Sequence, residues 1–154
     1  MEKNLRALCG LPVVCAGRTI GRVVEAALSK DLTRLEGIWL DAGLRGARYV
    51  PAESIQMLGE VSVSVDAPGT RRRMRQEPLF RRAVTTDGAR LGAVVGATVE
   101  PMTFQVCELI VSTGYWDDLT RGRLKIRRFA IAADGGVIAD TTTREVNGDE
   151  GWHG

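Results

Sequence analysis

Residues that carry chemistry are scarce in this chain of 154 residues. The single histidine, His153, sits near the C-terminal end. The three cysteines, Cys9, Cys15 and Cys107, are odd in number and show no CxxC spacing. Neither a zinc site nor a disulfide framework is expected from such a set. They read as small buried hydrophobes in a reducing compartment. There is no glycine-rich phosphate loop, nucleophile elbow or Ser-His-Asp set, so the expectation is a protein that is not an enzyme and binds no metal or cofactor. Aromatic residues make up 5% of the chain. No apolar run approaches the roughly 20 residues needed to span a bilayer. Lys3 and Arg6 precede an apolar stretch broken by Gly10 and Pro12, a poor signal peptide, which points to the cytoplasm.

What the chain does contain is a copy of itself. Gly17-Arg18-Thr19-Ile20-Gly21-Arg22-Val23 returns as Gly88-Ala89-Arg90-Leu91-Gly92-Ala93-Val94. In the same register, Leu35-Glu36-Gly37-Ile38-Trp39-Leu40 falls on Val106-Cys107-Glu108-Leu109-Ile110-Val111. The register then slips, setting Val50 to Val61 against Ile126 to Val137, with Gly59 matched to Gly135. Internal repetition of this kind decides the architecture before any single residue is read.

The segments within each copy are strand-like. Leu11 to Cys15, Ile20 to Leu28, Arg34 to Asp41 and Ala47 to Val50 are rich in β-branched and aliphatic residues. Pro51 to Ile55 reads as one helical turn with proline first. Val61, Val63 and Val65 alternate with serines as a half-buried closing strand. In the second copy Phe104 to Thr113 is the matching central strand, and Asp87-Gly88 is a hairpin signal. Gly21 and Gly92 lie just inside strands, where a glycine marks a bulge or bend that curls a small sheet. The expected fold is mainly β with little helix: two tandem small β-barrels over residues 1–66 and 79–140. A basic linker, 67–78, joins them, and a polar tail, 141–154, is expected to be disordered. Trp39, in the middle of a strand, is expected in the core.

Charge is nearly balanced, at 21 basic and 19 acidic residues, but unevenly spread. Arg71, Arg72, Arg73, Arg75, Arg81 and Arg82 face a lone Glu77 within 67–82, while residues 134–154 are acidic.

The ordered series Leu11-Pro12-Val13, Gly17 to Val23, Leu35 to Leu40, Tyr49-Val50-Pro51-Ala52-Glu53-Ser54-Ile55 and Gly59 resembles the PRC-barrel domain. The second copy resembles a diverged PRC-barrel that keeps Gly88, Leu91-Gly92 and Gly135. Gly114-Tyr115-Trp116-Asp117-Asp118-Leu119-Thr120-Arg121-Gly122 is similar to a loop in tandem PRC-barrel proteins of spore-forming Gram-positive bacteria, the YrrD-like group. The resemblance implies an adaptor or assembly module that holds a protein or a protein–RNA partner. It also implies two alternatives: an RNA- or ribosome-associated factor, and a factor linked to sporulation or the envelope.

Two clusters are candidate partner-binding sites. Arg71, Arg72, Arg73 and Arg75 could grip phosphates, RNA above all, because guanidinium forks bond them twice. The plainer reading is a solvated linker, since no aromatic residue lies among these arginines to stack on bases. Tyr115, Trp116, Asp117 and Asp118 are residue types that serve well at interfaces. The plainer reading there is an aromatic cap on the barrel with aspartates organising a turn. Exposed strand edges add self-association to the expectations.

Overall fold

Alternation of inward aliphatic and outward polar side chains puts most of the chain into strands. The computed structural model describes residues 2–72, 82–85 and 88–144. It divides into two compact units. The first is Met1–Glu77 together with Thr98–Val106, and the second is Pro78–Ala97 together with Cys107–Gly154.

In the first unit the strands are β1 (Lys3–Asn4), β2 (Pro12–Cys15), β3 (Arg18–Leu28), β4 (Leu35–Asp41), β5 (Ala47–Pro51), β6 (Ile55–Leu58), β7 (Val63–Val65) and β8 (Thr70–Arg71). Seven of them form one sheet in the order β6-β7-β2-β3-β4-β5-β8, a curled half-barrel. β2 and β7 run parallel, with Val13 beside Val63, and the other neighbours are antiparallel. Pro51 ends the pairing of β5 with β4, opposite Gly37. A 3-10 turn of three residues, Ala52–Ser54, then redirects the chain into β6, which pairs with β7. Proline lacks an N–H and fixes its own φ, so it suits the point where one strand changes partners. Val13, Val23, Ile38, Leu40, Val50, Val63 and Val65 fill the concave side and are almost wholly buried. Each such side chain contributes roughly 1.5–3 kcal/mol by leaving water. β1 pairs with Thr98–Val99, and Leu35 N–H donates to the Phe104 carbonyl at 2.9 Å.

The second unit holds β9 (Arg82–Thr85), most of β10 (Arg90–Val99) and of β11 (Val106–Ser112), a short helix α1 (Tyr115–Arg121), β12 (Leu124–Ile131) and β13 (Val137–Arg144). Pairings run β9-β10-β11-β12-β13 and back to β9, closing a five-stranded barrel. Its closing pair, β13 with β9, is parallel, as β7 with β2 is in the first unit. Ala83, Val94, Leu109, Val111, Ile126 and Val137 are among its buried side chains.

The two units share a strand order, and the register locates where they part. Ile38 pairs with Val50 as Leu109 pairs with Ile126. Val13 lies beside Val63 as Ala83 lies beside Val137. Val137 is therefore the counterpart of Val63, not of Val61 as the sequence alignment set it. The 3-10 turn Ala52–Ser54 adds three residues where β12 continues as a strand, and the turn after β6 is one residue shorter than that after β12, a net slip of two. Val61, expected in the closing strand, is 79% exposed and precedes β7.

Both expected glycine bulges are present. The register breaks between Val13 and Val14 opposite Gly21, and between Arg90 and Gly92. A Cβ on Gly21 would lie 2.6 Å from the Asp41 carbonyl oxygen, and one on Gly92 would collide with that of Ser112. Glycine is what allows the backbones to approach so closely there.

Other expectations are corrected. Residues 115–121 form a helix rather than a loop. Cys9 is exposed, while Cys15 and Cys107 are half-buried, so none of the three is a core residue. β13 runs to Arg144, past residue 140 where the second copy was expected to end. The rest of the expected tail, 145–154, lies outside the described residues. Among the described residues no helix is long and apolar enough to cross a membrane.

Candidate functional site

Alternation on β4 sends Ile38 and Leu40 inward, and Trp39 therefore points outward. Trp39 is half-buried, not a core residue as its mid-strand position suggested. Register places it opposite Glu25 on β3 and Tyr49 on β5, and Tyr49 in turn lies opposite Thr70 on β8. One row thus runs across the convex face: Glu25, Trp39, Tyr49, Thr70. The Trp39 and Tyr49 rings sit 4.9 Å apart, tilted by 56°. That spacing falls in the range where aromatic pairs attract beyond simple burial.

Gly37 makes room for this pair. A Cβ there would strike the Tyr49 phenol and come within 2.5 Å of the Val50 carbonyl oxygen. The ring of Tyr49 settles over the bare backbone instead.

Just past β8, Arg72 brings its guanidinium carbon to 5.2 Å from the centre of the Tyr49 ring. This is within cation–π range. The segment that leads to it is held by Arg48. Arg48 Nε donates to the Pro68 carbonyl at 3.0 Å, and Arg48 Nη2 donates to that of Gly69 at 2.8 Å. Arg72 N–H also donates to the Ala47 carbonyl at 3.4 Å. Burial pushes the Tyr49 phenol above its ordinary value; Glu36 adds to the rise, Arg72 opposes it, and Glu53 adds again. Both signs of charge therefore reach this ring. Burial also raises the Glu25 carboxyl.

Of the arginines singled out in the sequence, Arg71 and Arg72 are exposed on and beside β8, and Arg72 joins the aromatic pair. Arg73 and Arg75 lie outside the described residues. No aromatic residue neighbours these arginines in sequence, yet the β5–β8 pairing supplies Tyr49, and the β4–β5 pairing adds Trp39 behind it. That juxtaposition was missed because Tyr49 and Arg72 meet only across strands. The usable signal was the outward phase of Trp39 between Ile38 and Leu40.

The second candidate cluster is assembled differently. Tyr115, Trp116 and Asp117 stand on the first turn of α1, and their side chains lie outside what is described. Asp118 faces back to the end of β11. Its Oδ2 accepts from Ser112 Oγ at 2.6 Å and lies 3.5 Å from Arg123 Nε, while Oδ1 accepts from Thr113 N–H at 3.3 Å. With 16% of its side chain exposed, Asp118 ties the helix to the barrel.

A shallow depression between Leu28 and Glu36 is lined by polar groups already bonded to one another. Ser29 Oγ and Thr33 Oγ1 each donate to Asp31 Oδ1 at 2.7 Å. These bonds hold the Asp31 carboxyl down to about 2. The carboxylate organises a turn. Among the described residues no group of three or more His, Cys, Asp or Glu side chains could hold a metal ion.

Set beside known proteins, the chain matches no family model and no curated protein.

Proposed function

We propose that this protein is a non-enzymatic adaptor or assembly module, of the tandem PRC-barrel kind, that binds a protein partner through the convex face of its first unit. The observation that carries the reading is the half-buried Trp39–Tyr49 pair, capped by Arg72 and with Glu25 opposite Trp39, on the outside of a sheet. Tryptophan, tyrosine and arginine are the residues that most often dominate protein interfaces, and charge of both signs suits a protein surface. A cytoplasmic setting belongs to the same proposal, as does the kinship with YrrD-like tandem proteins.

Nuclease-treated affinity capture from the native cell tests it. Wild type should retain a specific protein partner, and Tyr49→Leu should lose it with a melting temperature close to that of wild type. A partner retained equally by both would end the reading.

A second reading, an RNA-associated factor, has one specific observation in its favour. Arg72 lies over Tyr49 of a tilted aromatic pair, with Arg71 next to it in the chain, and single-stranded nucleic acids bind surfaces that combine cations with aromatic rings. On that reading, Arg71→Ala with Arg72→Ala should weaken binding to a single-stranded RNA and flatten its salt dependence. Unchanged affinity would exclude it.

A further inference from the structure

We propose that the Trp39–Tyr49 face is a docking site for an arginine side chain of a basic partner peptide, and that Arg72 holds this site in the free protein. The inference rests on the adaptor reading and names the chemistry of its partner.

Three observations converge on a cation as the occupant. First, a guanidinium is already there: Arg72 lies over Tyr49 at cation–π distance. Second, a carboxylate stands in the same cross-strand row as the rings. Glu25 lies directly opposite Trp39, and Glu36 and Glu53 are near enough to act on the Tyr49 phenol. A carboxylate so placed favours a cationic side chain on the neighbouring ring. Third, Arg72 is exposed and follows a two-residue strand, and Arg48 holds that segment through backbone carbonyls at Pro68 and Gly69. The Arg72 side chain can therefore leave the ring without the strand coming undone. A planar guanidinium stacks on an aromatic face better than a compact, strongly hydrated ammonium does. The site should prefer arginine to lysine.

The competition gives an unusual sign. If Arg72 is a stand-in for the partner's arginine, removing it should strengthen binding. If Arg72 itself contacts the partner, or a phosphate, removing it should weaken binding.

Fluorescence anisotropy of the full chain with a labelled Gly-Arg-repeat peptide, its Gly-Lys counterpart and a single-stranded RNA separates these cases. The expected results are measurable binding of the arginine peptide and weaker binding of the lysine peptide. Arg72→Ala should tighten the arginine complex by about three-fold, and Tyr49→Leu should weaken it by a similar factor or more. Should Tyr49→Leu fold poorly, Glu36→Gln with Glu53→Gln keeps both rings and should also weaken the peptide. Weaker peptide binding by Arg72→Ala, equal affinity for arginine and lysine peptides, or a preference for RNA that depends on Tyr49 would each overturn the proposal. Those results leave the partner-capture experiment independent, because the adaptor reading fails only if Tyr49→Leu keeps its captured partner.

Discussion

Where the first unit sets Trp39 opposite Tyr49, the second sets Ile110 opposite Lys125, although the strands around them pair in the same order. Gly37, which admits the tyrosine ring, has Glu108 as its counterpart. Glu108 is buried and lies 3.4 Å from Arg127. Ile110 is buried as well, whereas Trp39 is half-exposed. Inward positions tell the opposite story. Ile38 and Leu40 correspond to Leu109 and Val111, and all four are buried aliphatics. The duplicated part is the interior. The outward row differs between the units: half-exposed aromatics in the first, a buried aliphatic and a buried carboxylate in the second.

The comparison can be strained first at the shared interior. Leu40→Ala should destabilise by about 3 kcal/mol and Val111→Ala by about 2 kcal/mol, read by chemical denaturation, because each leaves a cavity in a sealed core. A change near zero at either site would mean that its unit is not packed as described. The next largest effect is expected where the units differ. Gly37→Ala drives a Cβ into the Tyr49 ring and should cost about 1–3 kcal/mol. It should also shift the Tyr49 ring resonances and those of Arg72. Glu108→Ala, at the matching place, should cost nearer 1 kcal/mol, since Arg127 is 60% exposed and rehydrates. Equal losses at the two positions would erase the distinction drawn between the faces.

The smallest effect concerns the Ser29–Asp31–Thr33 turn of the first unit. Its carboxyl is held below the ordinary 3.8, at about 2, by the bonds from Thr33 and Ser29. A depressed value means that the stabilising charge is fully present above pH 4 and is lost as pH falls through 2. A carboxyl-detected NMR titration of Asp31 should therefore show its midpoint near 2, and a midpoint near 4 would mean the turn does not persist in solution.

Much of the scaffold was legible in the residues themselves. Gly21 and Gly92 announced bulges, since a side chain at either would meet the backbone of the strand across from it. Pro51 announced the break between β5 and β6. The register beyond that break was not legible. Aligning Gly59 with Gly135 assumed equal spacing, but the 3-10 turn adds three residues before the end of β6 and the following turn is one shorter, which displaces the match by two, to Val63. The helix at 115–121 escaped notice because seven residues are too few for a periodic pattern, and its tie to Ser112 and Arg123 is tertiary. The candidate site was half visible: its arginines stood out as a run, and its aromatics did not.

Local sequence determined that this chain would form short strands, where they would bend, and that two copies of one plan would be built. Those features follow from alternation, β-branching, and the special backbones of glycine and proline, all of which act within a few residues. Which barrel closes, which valine seals it, and which ring receives Arg72 were decided by strand pairing. Tyr49 and Arg72 are far apart along the chain, and a hydrogen-bonded ladder between β5 and β8 is what brings a cation over an aromatic face.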